Sequence, residues 1–229
     1  LIKDNLLEIK HDGKININLN YFEFQKYEKM FNEKLENLFG FKKRNKNEEL
    51  NQDYLDIASS VQKITEEVML KNVKSLIEKH HISNLCLAGG VALNCVANGK
   101  ILKENIFENI WIQPAAGDAG GALGAALALW HHELKQERLT PLKDDMRGSY
   151  LGPSFSNDEI EKALSAFGAT YEKFSEENLL KIAAQELSKE KTLGWFQDRM
   201  EFGPRALGSR SIIADPRSEK MQKILNLKV

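Results

Sequence analysis

Two stretches decide the fold. Asn84-Leu85-Cys86-Leu87-Ala88-Gly89-Gly90 is a short apolar run that breaks at a pair of glycines. Ile110-Trp111-Ile112-Gln113 runs into Pro114-Ala115-Ala116-Gly117-Asp118-Ala119-Gly120-Gly121. Each run has the length of a buried strand, and each is followed by helix-forming residues, from about Ala92 in the first case and over Ala122 to Leu134 in the second. A strand–glycine turn–helix unit that occurs twice in tandem predicts an α/β layout with helices packed on a sheet. The sequence shows no long-period repeat.

Upstream, Leu7, Ile9, Ile15, Ile17 and Leu19 alternate with polar residues around Asp12-Gly13, a two-residue turn signal, so residues 1–20 read as a hairpin. Tyr21 to Leu38 carries aromatic and Leu residues at helical spacing and stops at Gly40. Phe41 to Gln52 is a loop rich in Lys, Asn and Glu, and its Lys42-Lys43-Arg44 cluster reads as solvated. In Tyr54 to His80, residues Ile57, Val61, Ile64, Val68, Val73 and Ile77 recur at helical spacing with no Gly or Pro between them, which predicts one long amphipathic helix. Downstream, residues 135–149 are polar and lack periodicity, so a domain boundary is placed there, between 1–145 and 146–229. Gly152-Pro153 opens a turn, and Ser156 with Glu159 predicts a capping box for a helix ending at Ala166. Asn178 to Lys189 reads as a helix, Leu193 to Gln197 as a strand, and Gly203 to Arg210 as a loop.

The chain has 229 residues, 42% hydrophobic and 28% charged, enough apolar content for a packed core and against wholesale disorder. Lys and Arg number 32 against 33 Asp and Glu, a net charge of -1, which argues against a protein that coats nucleic acid and leaves room for a local basic site. Cys86 and Cys95 are too few for a disulfide framework and are expected to be small buried residues of a cytoplasmic protein. The stretch from Ala115 to Trp130 is too short and too broken by glycines and Asp118 to cross a bilayer, so no membrane partner is expected. Leu1 is not Met, and strand-like material begins at once, so a fragment of a longer polypeptide is expected.

Three places look fit for chemistry. At Ala88 to Asn94 the two glycines allow a sharp turn and close approach of a ligand to the backbone, although a tight strand–helix connection would look the same. In the second turn Asp118 is bracketed by glycines, which suits a carboxylate that holds a metal or a hydroxyl; an Asp capping the Ala122 helix is the plainer account. Two such turns closing strands of one sheet favour a crevice at the strands' carboxyl ends. The third place is Gln197 to Ser211, where Arg199, Arg205 and Arg210 lie among Gly203, Pro204 and Gly208. Arginines on a Gly/Pro-bent loop suit planar, bidentate binding of phosphate or carboxylate. Only Phe202 is an aromatic neighbour, which argues against a nucleic-acid platform. His80-His81 and His131-His132 end predicted helices, where a cation complements the dipole, and His11 sits at the hairpin turn; all five histidines read as structural.

The residues of these places carry a resemblance. Leu85 to Asn94, Gln113 to Gly120, and Gly194-Trp195-Phe196-Gln197 through Ala214-Asp215-Pro216-Arg217 resemble the NodU/CmcH-type O-carbamoyltransferases, nodulation-factor and antibiotic-tailoring enzymes. Weaker likeness at the Asp12-Gly13 hairpin, Leu38-Phe39-Gly40, Ala58 to Gln62 and Tyr150-Leu151-Gly152-Pro153 extends it over nearly the whole chain. The resemblance implies an α/β fold made of half of an actin/sugar-kinase-like (Kae1-like) ATPase domain followed by the start of a YrdC-like α/β domain. It also implies use of carbamoyl phosphate and ATP, formation of a carbamoyl-adenylate, and transfer of the carbamoyl group to a hydroxyl of a small molecule or sugar near a divalent metal: iron, zinc or magnesium.

Carried over by residue, the resemblance puts Gly89, Gly90, Val91 and Asn94, with Gly117 and Gly120, on the nucleotide. Asp118 becomes a metal ligand, and Arg199, Arg205, Ser209 and Arg210 line the carbamoyl-phosphate and adenylate pocket. It further implies that histidine metal ligands lie upstream of Leu1, that basic residues and a Phe-Arg-Pro stretch follow Val229, and that missing parts of the same polypeptide are partners. Such a fragment alone is expected to be inactive. Asp198 stands where the family commonly has Gly, a carboxylate able to neutralise Arg199. The alternatives are a non-catalytic nucleotide-binding module of the same ATPase superfamily and a threonylcarbamoyl-type tRNA-modification protein. The former gives no reason for Gly203 to Arg210, and the latter calls for a basic surface.

Overall fold

A computed structural model describes residues 1–24, 29–45, 47–139 and 143–228. They form two compact units, Leu1–Ile112 and Gln113–Val229.

The first unit opens with a hairpin, β1 (Leu7–Ile9) and β2 (Ile15–Ile17), antiparallel with Leu7 opposite Ile17. Its loop is longer than the Asp12-Gly13 signal predicts. The Lys10 N–H donates to the Lys14 carbonyl at 2.8 Å, so His11, Asp12 and Gly13 all lie in the connection. Gly13 takes φ +82°, and a Cβ there would lie 2.6 Å from the Asn72 amide nitrogen. The glycine therefore serves both the turn and the seat of the hairpin on the long helix.

The helix expected over Tyr21 to Leu38 is largely replaced; its residues 25–28 lie outside the described residues. Leu19–Tyr21 makes one 3-10 turn, Phe22 bridges antiparallel to Phe31, and the true helix, α1, spans only Glu33–Phe39. An asparagine inside the span contributes: Asn32 accepts from the Lys34 N–H, offering the backbone a cap where a continuous helix would need an interior residue, while Asn18 caps the separate 3-10 turn through the Asn20 N–H. Gly40, left-handed at φ +81°, ends α1 where the sequence places the stop.

The long helix α2 (Gln52–His80) is capped by Asn51 and ends on left-handed His81. Its second half is the packed half. Val73 joins Leu85 of β3 (Asn84–Leu87), Ile101 of α3 (Cys95–Lys103) and Phe107 in the buried core, with Met69, Leu70, Ile77 and Ile110 against them. In its first half Leu55 and Val61 are about half exposed. The strand β4 (Asn109–Ile112) runs parallel to β3, from Asn84 opposite Asn109 to Leu87 opposite Ile112, and α3 supplies the crossover that a parallel pair requires. Both strands thus end at one edge. Cys86 and Cys95 are exposed, contrary to the expected burial. In a two-stranded sheet covered on one face, alternate residues point outward, so Leu85 is buried while Cys86 and its partner Trp111 face out.

In the second unit α4 (Asp118–Ala128) begins four residues before the expected Ala122. Ser156 and Glu159 form the predicted capping box of α5 (Asn157–Ala166), with the Ser156 N–H donating to Glu159 Oε2 at 2.8 Å. Ser175 caps α6 (Glu176–Ser188). The strand β5 (Leu193–Phe196) pairs antiparallel with β6 (Arg210–Ile213), Phe196 opposite Arg210, and α7 (Met221–Lys228) follows. Neither β6 nor α7 is anticipated by the sequence reading. Within the polar segment 135–149, residues 140–142 lie outside the described residues. Its last residue, Ser149, is completely buried. Ser149 Oγ donates to the Phe202 carbonyl at 2.7 Å, and the Phe202 N–H donates back to the Ser149 carbonyl at 2.7 Å. The Gly152 N–H continues the pairing to the Met200 carbonyl at 2.9 Å. Among the described residues no helix is long and apolar enough to cross a membrane.

Gly13→Ala is expected to lower stability by roughly 2 kcal/mol, since a left-handed L-residue costs about 1–2 kcal/mol before any displacement of Asn72. Thermal melting should shift down by roughly 4–8 °C; an unchanged melting temperature would mean the hairpin does not rest on α2.

Candidate functional site

The first glycine turn leaves β3 at Leu87. Gly89 needs its glycine, with φ +104°, and Gly90–Leu93 makes a single 3-10 turn. A Cβ at Gly89 or Gly90 would meet nothing within 4 Å, and Val91 is well exposed, so the outer side of this turn is open to a ligand. Asn94 is engaged within the fold. Its Oδ1 accepts from the Ala97 N–H at 3.1 Å, capping α3, and its side-chain amide exchanges two hydrogen bonds with Gln62 of α2. Gln62 also donates to Glu66 at 2.9 Å, and Glu66 accepts from Lys100 of α3. The bond from Lys100, then that from Gln62, holds the Glu66 carboxyl below its ordinary range. This chain of polar side chains ties α2, α3 and the end of the glycine turn together.

The second turn has a different character. Asp118 is the exposed first residue of α4, one place inside Gly117, so it complements the helix dipole and does not act as the side-chain cap of a helix starting at Ala122. Gly120 has a packing reason to be glycine: a Cβ there would lie 2.0 Å from the Ala115 carbonyl oxygen. A Cβ at Gly117 meets nothing within 4 Å, so that position is open. Among the described residues no three His, Cys, Asp or Glu side chains gather as a metal cluster. Asp118 offers one hard oxygen donor, short of the three or more protein ligands of a firm divalent site, and the residues described here do not by themselves fit the metal.

The arginine loop is the most highly organised of the three. Glu201, whose side chain is fully buried, lies at its centre. Its Oε1 accepts from the Leu207 N–H at 2.7 Å and the Ser209 N–H at 2.8 Å, with a longer contact of 3.4 Å to the Arg210 N–H. Its Oε2 accepts from Arg210 Nε at 2.8 Å, and Arg210 Nη2 donates to the carbonyls of Glu201 and Gly203. Burial pushes the Glu201 carboxyl up, but the Arg210 guanidinium and the inward N–H groups outweigh it and bring it down to about 2. Tyr150 adds a clasp from outside, its hydroxyl donating to the Leu207 carbonyl at 2.9 Å.

The structure therefore separates the predicted loop residues. Arg210 is turned inward to Glu201, and Ser209 is buried with its N–H on the same carboxylate. Arg199 donates through Nη1 to the Gly152 carbonyl at 2.6 Å. Asp198 is exposed and left-handed at φ +51°, and no ion pair joins it to Arg199 among the described residues. Arg205 is exposed, and none of the described residues accepts a hydrogen bond from it. Gly203 brings the loop onto the second glycine turn: at φ +133°, a Cβ there would lie 2.8 Å from the Pro114 carbonyl oxygen. Sequence reasoning gives Glu201 no role. The signal lies in the Gly/Pro-bent loop itself, because a segment that folds back on itself directs N–H groups inward and calls for an internal acceptor.

Two family models match the chain: the carbamoyltransferase N-terminus over residues 1–127 and the carbamoyltransferase C-terminus over residues 184–229. An uncharacterized protein of Synechocystis sp. is 52% identical over all of this chain and 38% of its own length. The nodulation protein NolNO of Sinorhizobium fredii is 41% identical over 76% of this chain and 25% of its own length. The nodulation protein NolO of Bradyrhizobium diazoefficiens is 36% identical over 80% of this chain and 33% of its own length. The chain thus spans between 25% and 38% of the length of these curated relatives.

The site geometry gives two expectations. Gly203→Ala should cost at least roughly 1–3 kcal/mol from backbone strain alone, whereas Asp198→Gly should be near neutral, because relief of about 1 kcal/mol of left-handed strain is offset by glycine's entropy. Thermal melts of the two variants check this, and a wild-type melting temperature for Gly203→Ala would place the loop away from Pro114. The depressed Glu201 carboxyl adds a pH signature. Its contribution is present above the ordinary value of 4.5 and is lost as pH falls through about 2. Acid denaturation followed by circular dichroism should be less steep over that window in Glu201→Gln.

Proposed function

Because this chain belongs to the carbamoyltransferase family, we propose that it carries the carbamoyl-donor site of an O-carbamoyltransferase. In this reading water first cleaves carbamoyl phosphate to carbamate and inorganic phosphate, and a carbamate oxygen then attacks the α-phosphate of ATP, giving a carbamoyl-adenylate and releasing pyrophosphate. The hydroxyl of a small molecule or sugar then attacks the carbamoyl carbon, and AMP leaves. Adenylation makes chemical sense, since a carbamate is a poor electrophile until it carries a good leaving group. Residues 1–145 are read as the end of an actin/sugar-kinase-like domain and 146–229 as the start of a YrdC-like one.

The observation that supports this most directly is the exposed Arg205 guanidinium on a loop fixed from within. Pro204 sets the backbone angle just before it, so the side chain leaves a restricted main chain. A phosphate or carbamoyl oxygen arriving there accepts a forked pair of charge-assisted hydrogen bonds. Arg199 adds a second positive charge, and its bond to the Gly152 carbonyl holds its head group in place. Such preset donors stabilise charge that develops on oxygen without reorganising at the moment of reaction. On the nucleotide, the open turn at Gly89, Gly90 and Val91 suits close approach of a ligand to the backbone.

The test is carbamoyl-phosphate-dependent pyrophosphate release by a protein containing this segment. Arg205→Lys keeps the charge and loses the fork, so the rate should fall about ten- to a hundredfold, the equivalent of roughly 1.5–3 kcal/mol. Melting temperature should stay near that of the parent. Rates within about twofold for both Arg205→Lys and Arg205→Ala would reassign the loop to scaffolding.

A further inference from the structure

We infer that Glu201 is a positioning residue for the donor site and that Arg210 serves as its counter-ion, so that direct recognition of the anionic donor falls to Arg205, assisted by Arg199. This rests on the donor-binding reading above and divides the roles within it.

The argument starts from the donor inventory of a guanidinium. Of the five N–H groups of Arg210, Nε is bonded to the Glu201 carboxylate and Nη2 to the carbonyls of Glu201 and Gly203. Both forked edges of a guanidinium include Nη2, so each edge suited to a bidentate anion is already engaged by acceptors of this chain, one a carboxylate oxygen and two of them backbone carbonyls. Charge gives the same answer. Glu201 is fully buried beside Arg210, which is itself two-thirds covered, so an anion approaching Arg210 meets a negative charge at hydrogen-bond distance from the positive one. Arg205 has no such partner among the described residues.

Glu201 also binds on both sides of the turn that carries Arg205. Its carboxylate holds the Leu207 and Ser209 N–H groups after Arg205. Its own backbone carbonyl and that of Gly203, before Arg205, are held by Arg210. The pair closes a ring around Gly203-Pro204-Arg205-Ala206. In Glu201→Gln an NH2 group faces Arg210 Nε, donor against donor, so the ring opens at that point and releases the base of the Arg205 side chain, although Glu201 lies beneath the loop and apart from the donor.

The experiment is a double-mutant cycle on equilibrium affinity for carbamoyl phosphate, with inorganic phosphate as a second probe and melting temperature followed alongside. Arg205→Ala alone, if it leaves both affinities within about twofold of wild type, sinks the donor reading itself. If Arg205→Ala weakens binding, the inference predicts that Glu201→Gln weakens it about tenfold in the wild-type background and less than about twofold in the Arg205→Ala background, because Glu201 acts only through Arg205. A purely structural Glu201 would instead lower the melting temperature and leave the affinity of folded molecules unchanged, or weaken it equally in both backgrounds; either result overturns the inference. Should Glu201→Gln fail to fold, Glu201→Asp, which keeps the charge but shortens the reach, is read by the same criterion.

Discussion

A bent loop that turns its own N–H groups inward must contain an acceptor for them, and that constraint organises the second unit. An unmet buried donor costs about 1–3 kcal/mol, so two of them would rival the whole stability of a marginal domain. Glu201 meets the requirement with a single side chain, and in doing so it demands a cation, because a buried carboxylate without a partner is costlier than the donors it satisfies. Arg210 is that cation, and as the first residue of β6 it is also fixed by its pairing opposite Phe196. The electrostatics of the loop and the register of the sheet are therefore one arrangement. Ser149 and Gly152 extend it by pairing with Phe202 and Met200, so the start of the loop is held along its length.

The first unit solves a similar problem with a neutral amide pair backed by an ion pair. The turn at Gly89 ends in Asn94, whose side chain caps α3 and pairs with the Gln62 amide, while Glu66 and Lys100 close the network between α2 and α3. Here the polar chain lies between two helices and fixes the turn from below, leaving its outer face open. The two units thus share a physical logic: an exposed turn is kept rigid by side chains that lie beneath it. Rigidity of this kind matters because an anion gains most from donors that need not be reordered when it binds.

How far the sequence could be read follows from the range of the interactions involved. The α2 helix, the β3 and β4 strands and the α5 capping box are set by periodicity or by residues three or four apart, and these were legible in local pattern. The family was legible as well, through three long motifs in order. The helix over Tyr21 to Leu38 was misread because Asn32 offers a local cap inside the span that outweighs the apolar spacing. Cys86 and Cys95 were misplaced because apolar neighbours do not reveal which face of a two-stranded sheet, or of the first turn of α3, is covered. The β6 strand and the role of Glu201 were missed for one reason. Both depend on contacts between residues brought together by the bend at Gly203 and Gly208, which a reading of linear spacing does not see.

The glycines show why motif and mechanism have to be separated. Gly89 and Gly120 sit in turns that look alike in sequence, each after a strand and before a helix. At Gly89 the backbone angle requires glycine and nothing fills the space a Cβ would occupy. At Gly120 the angle is ordinary helix, and it is the Ala115 carbonyl that leaves no room for a side chain. Gly203 combines the two, a left-sided φ and a close approach to the Pro114 carbonyl, and so joins the arginine loop to the turn that leads into Asp118. Of the three, only Gly89 faces open space, and there the positive φ already accounts for the glycine. At the other two positions a neighbouring backbone carbonyl leaves no room for a side chain, which moves the weight of the functional reading from the glycines to the exposed Arg205, whose main chain Gly203, Pro204 and Glu201 restrain.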